Sequence, residues 1–585
     1  MLVDLNRLVT QRDPSRSSAT GIMAKQSPEQ IKAESRGLRG EIGAELENSN
    51  PYFSDASDKL LKFHGIYQQE DRDARKLDRT ADHHQFMLRT RLPGGQLTSR
   101  QYLLLDAIAD RFANGTLRVT TRQTIQFHGV VKGELRETVQ NINQALITTL
   151  GACGDIVRNV MACPAPGADP RRRALEEYAL SLTEAFFPRT TAYHQIWIDD
   201  QKVVEETEID DPLYRKTYLP RKFKIAIADA GDNCVDIYTN DVGLVGLFDE
   251  QQQLLGFNLL AGGGMGMSHN NSATYARLAD EIAFVTPAQA IEAVTGVVSI
   301  HRDFGDRENR KHARLKYVLA DRGVEWFREE LQRRVGFPLA PVRPMPAFSV
   351  HDHLGWHEEG DGRWYLGLHI ENGRIADRGD YRLRTGLRTL IEKFDLATRL
   401  TAQQNILLTG IATADRAAVE ALLSEYGIRP VEEISPARRQ AMACVALPTC
   451  GLSLAEAERV FPGVIDHLEQ TLTDLGIPAS EITARMTGCP NGCARPYVAE
   501  IAFVGRSQDK YMVFLGGNPA GTSLARPFID LVPLNQLVVA LQPVLAHYRD
   551  QRQTGEAFGD FVERIGFAQL RQIVPAEFKS VAPPA

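Results

Sequence analysis

The stretch Arg118-Val-Thr-Thr-Arg-Gln-Thr-Ile-Gln-Phe-His-Gly129 recurs later in the chain as Arg399-Leu-Thr-Ala-Gln-Gln-Asn-Ile-Leu-Leu-Thr-Gly410. The two copies share Arg118/Arg399, Thr120/Thr401, Gln123/Gln404, Ile125/Ile406 and Gly129/Gly410. Upstream of each copy lies a strand-like run ending in glycine, Phe86 to Gly95 and Trp364 to Gly373. A helical pattern follows each run, Arg100 to Ala113 and Arg384 to Phe394, and the downstream spacing predicts helices over 139–150 and 415–426. Each copy is therefore a β-α-β-α unit, and two such units pair around a pseudo-two-fold axis. Within the first copy Arg118, Thr120, Arg122, Gln123 and His128 alternate with apolar residues, as in any half-solvated strand. Two such polar ladders facing each other would instead line a cofactor.

Near the C-terminus four cysteines stand in two pairs: Cys444 and Cys450 in AlaCysValAlaLeuProThrCys, Cys489 and Cys493 in ThrGlyCysProAsnGlyCys. Four thiolates are the usual complement of a [4Fe–4S] cluster. Gly488 and Gly492 let the backbone approach bulky inorganic sulfurs and donate N–H groups to them. Structural zinc fits less well, because its cysteine pairs are normally separated by two to four residues. A disulfide framework is out of place in a long chain of cytoplasmic character. Cys153, Cys163 and Cys234 are scattered and read as buried, idle thiols.

The 585 residues suffice for three or four domains. A composition of 43% hydrophobic and 24% charged residues is that of a soluble globular protein. The net charge of −7 argues against nucleic acid or a membrane surface as the partner, so any anion must be held by a local basic pocket. The most apolar window, Ile282 to Ile300, is interrupted by Pro287, Gln289 and Glu292, so it is no membrane span. The first 24 residues lack an apolar signal core and read as a disordered extension.

Two basic groups could form that pocket. His301 to Tyr317 is rich in arginine and lysine and lies downstream of the glycine loop Ala261-Gly-Gly-Gly-Met-Gly266. A solvated helix face is the ordinary reading of such a run, and the loop lacks the GxGxxG spacing of a dinucleotide site. A loop of this kind can also cradle anions. The second group is Arg89 and Arg91, then Arg158-Asn159, then Arg221-Lys222-Phe223-Lys224. Alternation places Lys222 and Lys224 on one face of an extended chain. Two lysines there repel each other unless an anion lies between them.

Seven motifs in order carry a family resemblance: PheHisGlyIleTyrGlnGlnGluAspArgAsp (63–73), ArgLeuProGlyGly (91–95), ArgGlnThrIleGlnPheHisGly (122–129), TyrLeuProArgLysPheLys (218–224), GlyPheAsnLeuLeuAlaGlyGlyGly (256–264), MetAlaCysValAlaLeuProThrCys (442–450) and ThrGlyCysProAsnGlyCys (487–493). Together they resemble the sirohaem sulfite/nitrite reductase family, on its assimilatory sulfite-reducing branch, from about Lys25 to the C-terminus. The resemblance implies an α+β fold with two ferredoxin-like halves and two α/β domains. Boundaries follow: 1–75 as an N-terminal extension and partner-docking segment, 76–150 and 346–428 as the halves, 151–345 and 429–585 as the sirohaem and [4Fe–4S] domains. Sirohaem carries eight carboxylates, and the resemblance puts Arg118, Arg122, His128, Asn258, Arg302, Arg307 and Lys311 near it. Cys444, Cys450, Cys489 and Cys493 would hold the cluster, with Cys493 bridging to the sirohaem iron. Gly451 departs from the proline common in relatives at that position.

The activity so implied is reduction of sulfite to sulfide in assimilatory sulfur metabolism leading to cysteine. That reaction takes six electrons and six protons, and side chains cannot supply the electrons. By resemblance Arg89, Arg158, Lys222 and Lys224 would neutralise the substrate, polarise its S–O bonds and relay protons. A sirohaem nitrite reductase is the near alternative, although those enzymes commonly have asparagine in place of Lys224. A non-catalytic Fe–S protein is the distant one. No flavin or nicotinamide fold is legible, so electrons come from a partner. An NADPH-dependent flavoprotein docked before about Gly65 is the expectation, and ferredoxin the alternative.

Overall fold

The computed structural model describes residues 26–167, 169–190, 192, 197–198, 201–202, 211–478 and 482–578. The 24-residue extension expected at the N-terminus lies outside these. In the first copy of the repeat, strands Ile66–Glu70, His84–Arg89, Ile125–Val130 and Leu117–Val119 form an antiparallel sheet with helices Ser99–Phe112 and Leu135–Gln144. The second copy repeats the order with Gly355–Glu358, Arg363–Leu368, Ile406–Ala412 and Ala397–Leu400, and helices Leu383–Phe394 and Arg416–Glu425.

Each half completes its sheet with a short strand donated by the other. Arg374 and Ile375 pair with Arg118 and Leu117, while Gln96 and Leu97 pair with Arg399 and Thr398. The exchange closes an edge of each sheet that would otherwise stay open. It also explains why the upstream runs end in glycine. A Cβ on Gly95 would stand 2.6 Å from the Leu400 carbonyl, and one on Gly373 2.2 Å from that of Val119. Both glycines have positive φ, +74° and +77°.

The helices that follow are set by local chemistry. Thr98 and Gln101 form a reciprocal capping box at the start of Ser99–Phe112, and Tyr102, Leu105, Ile108, Ala109 and Phe112 form its buried stripe. Leu383, Leu387, Leu390 and Ile391 do the same for the second copy, and both stripes enter one shared core. Each large side chain so buried contributes about 1.5–3 kcal/mol, so Leu387→Ala would cost about 2–5 kcal/mol.

One helix expectation is corrected. The helix after the first repeat is Leu135–Gln144 rather than 139–150, because a 3-10 turn at Lys132–Glu134 starts it early. Leu146, at φ +56°, ends it, and Arg91 then takes the Thr148 carbonyl.

The two other units also match each other, a duplication missed in the sequence. In one, strands Ile225–Asp229 and Val242–Phe248 run parallel, and Leu254–Ala261 and Asp280–Val285 follow antiparallel. In the other, Ala484–Thr487 and Ile501–Ser507 run parallel, then Lys510–Leu515 and Arg526–Pro533 antiparallel. Residues 26–65 are folded onto this body: Ile31, Leu38, Leu60 and Phe63 enter the core of the first unit, and Lys32 Nζ donates to the Leu219 carbonyl at 2.9 Å. Among the described residues no helix is long and apolar enough to cross a membrane.

Candidate active site

The site lies where the first ferredoxin-like half meets both α/β units. Residues 157–161 run parallel beside 223–226, which sets Arg158 next to the lysine pair; its amide donates to the Phe223 carbonyl at 2.9 Å. The chain from Arg221 to Lys224 is extended just ahead of strand Ile225–Asp229. Phe223 is fully buried on one face, and Lys222 and Lys224 are half-buried on the other. Burial, together with Arg221, Arg158 and Arg314, pulls Lys222 down to about 7. Lys224 is depressed well below its ordinary value by burial, Lys222, Arg122 and Arg314. Arg122 falls to about 9, through burial and the neighbouring Arg158 and Arg495.

Burial is the largest cause of each depression, and several cations converging without matching carboxylates add to it. The buried Asp241 is already engaged by Arg314 at 2.7 and 3.1 Å. Such a lining is complementary to a polyanion.

Arg89 Nη1 lies 3.2 Å from the Cys153 thiol. Arg158 contacts the Gly154 carbonyl through Nε and Nη2 at 3.3 and 3.2 Å. Burial alone would lower Arg158, but Tyr67, Cys153 and Asp155 hold it above its ordinary value. Tyr67, in turn, is pushed up to about 12 by burial and Cys153. Arg122 bonds Asn240 Oδ1 at 2.9 Å and the Ile225 carbonyl at 3.0 Å, leaving its buried Nε without a partner. The buried His128 Nε2 is likewise unpartnered, and burial beside Arg374 drives its pKa well down.

The four expected cluster cysteines lie together in the C-terminal unit, each near others of the set. Gly488 N donates to Cys444 Sγ at 3.3 Å and Asn491 Nδ2 to Cys489 Sγ at 3.5 Å. A Cβ on Gly488 would stand 2.0 Å from Ser453 Oγ, so the loop admits only glycine. Cys493 is exposed toward the cavity and is close enough to Lys222 to raise it. Burial and the other thiols push Cys444 and Cys450 up, and Cys489 to about 12. Buried thiols in this number need a cationic centre before they ionise. They are not spaced for a single ion: among the described residues, the one group of three or more potential ligands with donor atoms within 4.8 Å of one another lies elsewhere. The donor set and its spread fit a [4Fe–4S] cluster, and the cations opposite fit the carboxylates of sirohaem.

Other expected residues are engaged differently. Arg118 Nε binds Glu458 at 2.9 Å and its Nη2 the Ala443 carbonyl at 2.9 Å. It therefore braces the loop behind Cys444 rather than opening onto the cavity. Asn258 is spent on both backbone groups of Arg343, at 2.7 and 3.0 Å. Arg302 is held by Asp303 and the Leu213 carbonyl, and Arg307 by Glu29 and the Tyr218 carbonyl. Lys311 is exposed.

The basic run supplies the site instead through Arg314 and Lys316. Lys316 donates to the carbonyls of Gly264 and Gly266, at 3.2 and 2.9 Å, and burial beside Arg314 lowers it to about 6. The glycine loop thus turns carbonyls toward a lysine, and two of its amides, Gly262 and Gly264, are bonded to backbone carbonyls. Arg221, Arg314 and Lys316 fall inside the two basic groups but are not singled out there as site residues, Cys153 reads in sequence as an idle thiol, and Tyr67 goes unweighed. Alternation about Lys222, and the later half of the basic run, were the available signals.

Comparison with known proteins agrees with this geometry. Residues 79–145 and 357–426 match the family described as nitrite/sulfite reductase ferredoxin-like half domain. Residues 180–339 and 436–581 match the nitrite and sulphite reductase 4Fe-4S domain. The chain is 45% identical over 551 residues to "Sulfite reductase [NADPH] hemoprotein beta-component" of Myxococcus xanthus, covering 94% of this chain and 98% of that one. It is 44% identical over 562 residues to "Sulfite reductase [ferredoxin]" of Synechococcus elongatus, covering 93% and 90%. The solved Mycobacterium tuberculosis NirA protein superposes with a TM-score of 0.73 at 25% identity, covering 93% of this chain and 97% of that one. The chain belongs to the nitrite and sulphite reductase family, with its duplicated ferredoxin-like halves and its sirohaem and [4Fe–4S] centres.

Proposed function

We propose that this protein reduces sulfite to sulfide in sulfur assimilation, with electrons delivered by an NADPH-dependent flavoprotein. The observation that carries the reading is the cationic group Arg89, Arg158, Lys222 and Lys224 gathered opposite Cys493. When bound, sirohaem coupled to a [4Fe–4S] cluster would supply the electrons of the reduction one at a time. The chain's own residues do the rest. Burial and neighbouring cations hold Lys222 and Lys224 below the ordinary lysine range; a dianion between them would raise both pKa values and draw protons onto their Nζ atoms. Each ammonium then stands ready to donate as an oxygen departs as water. Arg158 and Arg89 stay charged and stabilise negative charge on the oxygens. Cys444, Cys450, Cys489 and Cys493 would ligate the cluster, and Arg122 and His128 offer unpartnered donors to the macrocycle's carboxylates.

The relatives' names support sulfite over nitrite, as does Lys224. Support for the flavoprotein over ferredoxin is the printed NADPH designation of several relatives. Residues 26–65 pack against the body, so a docking surface there would be formed by their exposed side chains. The free cysteines among the described residues suit a reducing compartment such as the cytoplasm. Turnover of the purified holoprotein on sulfite and nitrite, with the flavoprotein and NADPH, tests the reading. Sulfite should be preferred at low concentration and NADPH alone should be inert. Preference for nitrite would replace the substrate, and activity with ferredoxin only would replace the donor.

A further inference from the structure

Two cysteines that look idle in sequence are brought together by the fold. Cys163 Sγ lies 3.6 Å from His353 Nε2 and 4.0 Å from Asp232 Oδ2. His353 Nε2 is 3.6 Å from the same carboxylate oxygen, and Cys234 Sγ completes a group of four donors all within 4.8 Å of one another. Cys163, Cys234 and His353 are buried, with 8%, 0% and 5% of their surface exposed. Asp232 is already aimed. Its Oδ1 accepts from the amides of Cys234 and His351, at 3.1 and 3.3 Å, which turns Oδ2 toward the gap. The exposed His351 ring also approaches Oδ2, at 3.5 Å.

The position of this group is as telling as its chemistry. It occupies the place in the first α/β unit that the cluster cysteines occupy in the second. Met161-Ala162-Cys163 repeats Met442-Ala443-Cys444, and each runs parallel to the strand beside it, Met161 against Ala226 and Met442 against Arg485. Cys234 stands two residues before Asp236, at φ +48°, which opens the 3-10 turn Ile237–Thr239. Cys493 stands two residues before Arg495, at φ +51°, which opens the turn Pro496–Val498. Behind Cys444 lies the ion pair Arg118–Glu458; near Cys163 lies its counterpart, Arg399–Glu176.

We propose that Cys163, Cys234, His353 and Asp232 bind one zinc ion tetrahedrally, at the pseudo-two-fold mate of the cluster site. Metal–ligand bonds of about 2.0–2.3 Å place tetrahedral donors about 3.3–3.8 Å apart; Cys163, His353 and Asp232 already stand 3.6–4.0 Å from one another, and Cys234 Sγ, within 4.8 Å of all three, has to close by about 1 Å at most. Two thiolates with an imidazole and a carboxylate suit zinc, and four protein ligands make a closed, structural site. Binding leaves both cysteines as thiolates and His353 neutral, displaces the protons these groups carry to solvent, and gives the centre a net charge of −1, which Arg172 and Arg399 face. The ion would pin the connection entering the second ferredoxin-like half to the first α/β unit, where Asn233 N also takes the Ser349 carbonyl at 2.8 Å.

The test is elemental analysis of the holoenzyme, whose cluster cysteines are occupied by iron. We expect about one zinc per chain, lost in Cys234→Ser and in His353→Gln while iron and sirohaem content hold. Cobalt(II) added to zinc-free holoenzyme should give an intense thiolate-to-metal absorption band. Should either variant fail to fold, the wild-type measurements still decide. The proposal is overturned by a wild-type protein that carries no zinc and takes up neither added Zn2+ nor Co2+ under reducing conditions. Zinc content unchanged in both variants, or a Cys163–Cys234 disulfide in anaerobically isolated protein, would overturn it equally.

Discussion

Glu458 ties three units together, so Glu458→Gln is the most informative single change. Its carboxylate accepts from Arg118 Nε at 2.9 Å, in the first ferredoxin-like half, and from Arg374 Nε and Nη2 at 2.7 and 3.0 Å, in the second. Its own amide donates to the Cys444 carbonyl at 3.1 Å. Burial would raise this carboxyl, but Arg374 and Arg118 hold it at about 2 against an ordinary 4.5. At about 1.4 kcal/mol per tenfold change, that difference is worth about 3 kcal/mol in favour of the ionised form. Glutamine keeps the shape but leaves two buried guanidiniums uncompensated, a class of change that costs about 3–5 kcal/mol.

Thermal unfolding should therefore drop by roughly 6–20 °C, taking a cooperative unit of 150–250 residues. The pH dependence has a definite sign. Between about 2 and 4.5 the unfolded chain carries the extra proton, so the stabilisation is complete above about 4.5 and is lost as pH falls toward 2. Wild type and variant should converge as the medium is acidified. A double-mutant cycle with Arg374→Met should show coupling above about 1 kcal/mol. A variant that melts within 1 °C of wild type at pH 7, or strictly additive effects in the cycle, would refute the reasoning.

Three further outcomes are expected. Cys493→Ser should disturb both iron centres, read as lost cluster iron and an altered sirohaem spectrum; an unchanged spectrum with full activity would remove its bridging role. Lys222→Met should lower kcat/KM for sulfite by about 10–1000-fold with both centres spectroscopically intact; unchanged kinetics would move the substrate elsewhere. Because burial and Arg221 pull Lys222 down to about 7, and a bound dianion would raise it, its protonated form is lost as pH rises through that value or above it. Wild-type kcat/KM should therefore fall on the alkaline side while Lys222→Arg flattens that limb, and identical profiles would exclude Lys222 as the titrating group.

What the sequence determined by itself was whatever spacing and local chemistry encode. The repeat at 118–129 and 399–410 carried the duplication, because glycine placement is a property of each copy alone, but each half is β-β-α-β-β-α rather than β-α-β-α: the repeat segment itself turns back as a hairpin, and one more strand precedes the upstream run. The C-x5-C and C-x3-C pairs declared the cluster, and alternation about Phe223 put Lys222 and Lys224 on one face. Tertiary structure decided what those elements meet. Arg118 reads like a cofactor ligand in its strand, yet packing sets Glu458 beside it from far along the chain. Arg302 and Arg307 belong to the expected basic run but turn toward 212–218, while Arg314 and Lys316, a few residues on, reach the cavity. Cys163, Cys234 and His353 were unreadable as a group for the same reason. Their backbone neighbours are ordinary, and only the docking of a loop and a connection onto one sheet edge brings their donor atoms within reach of a single ion.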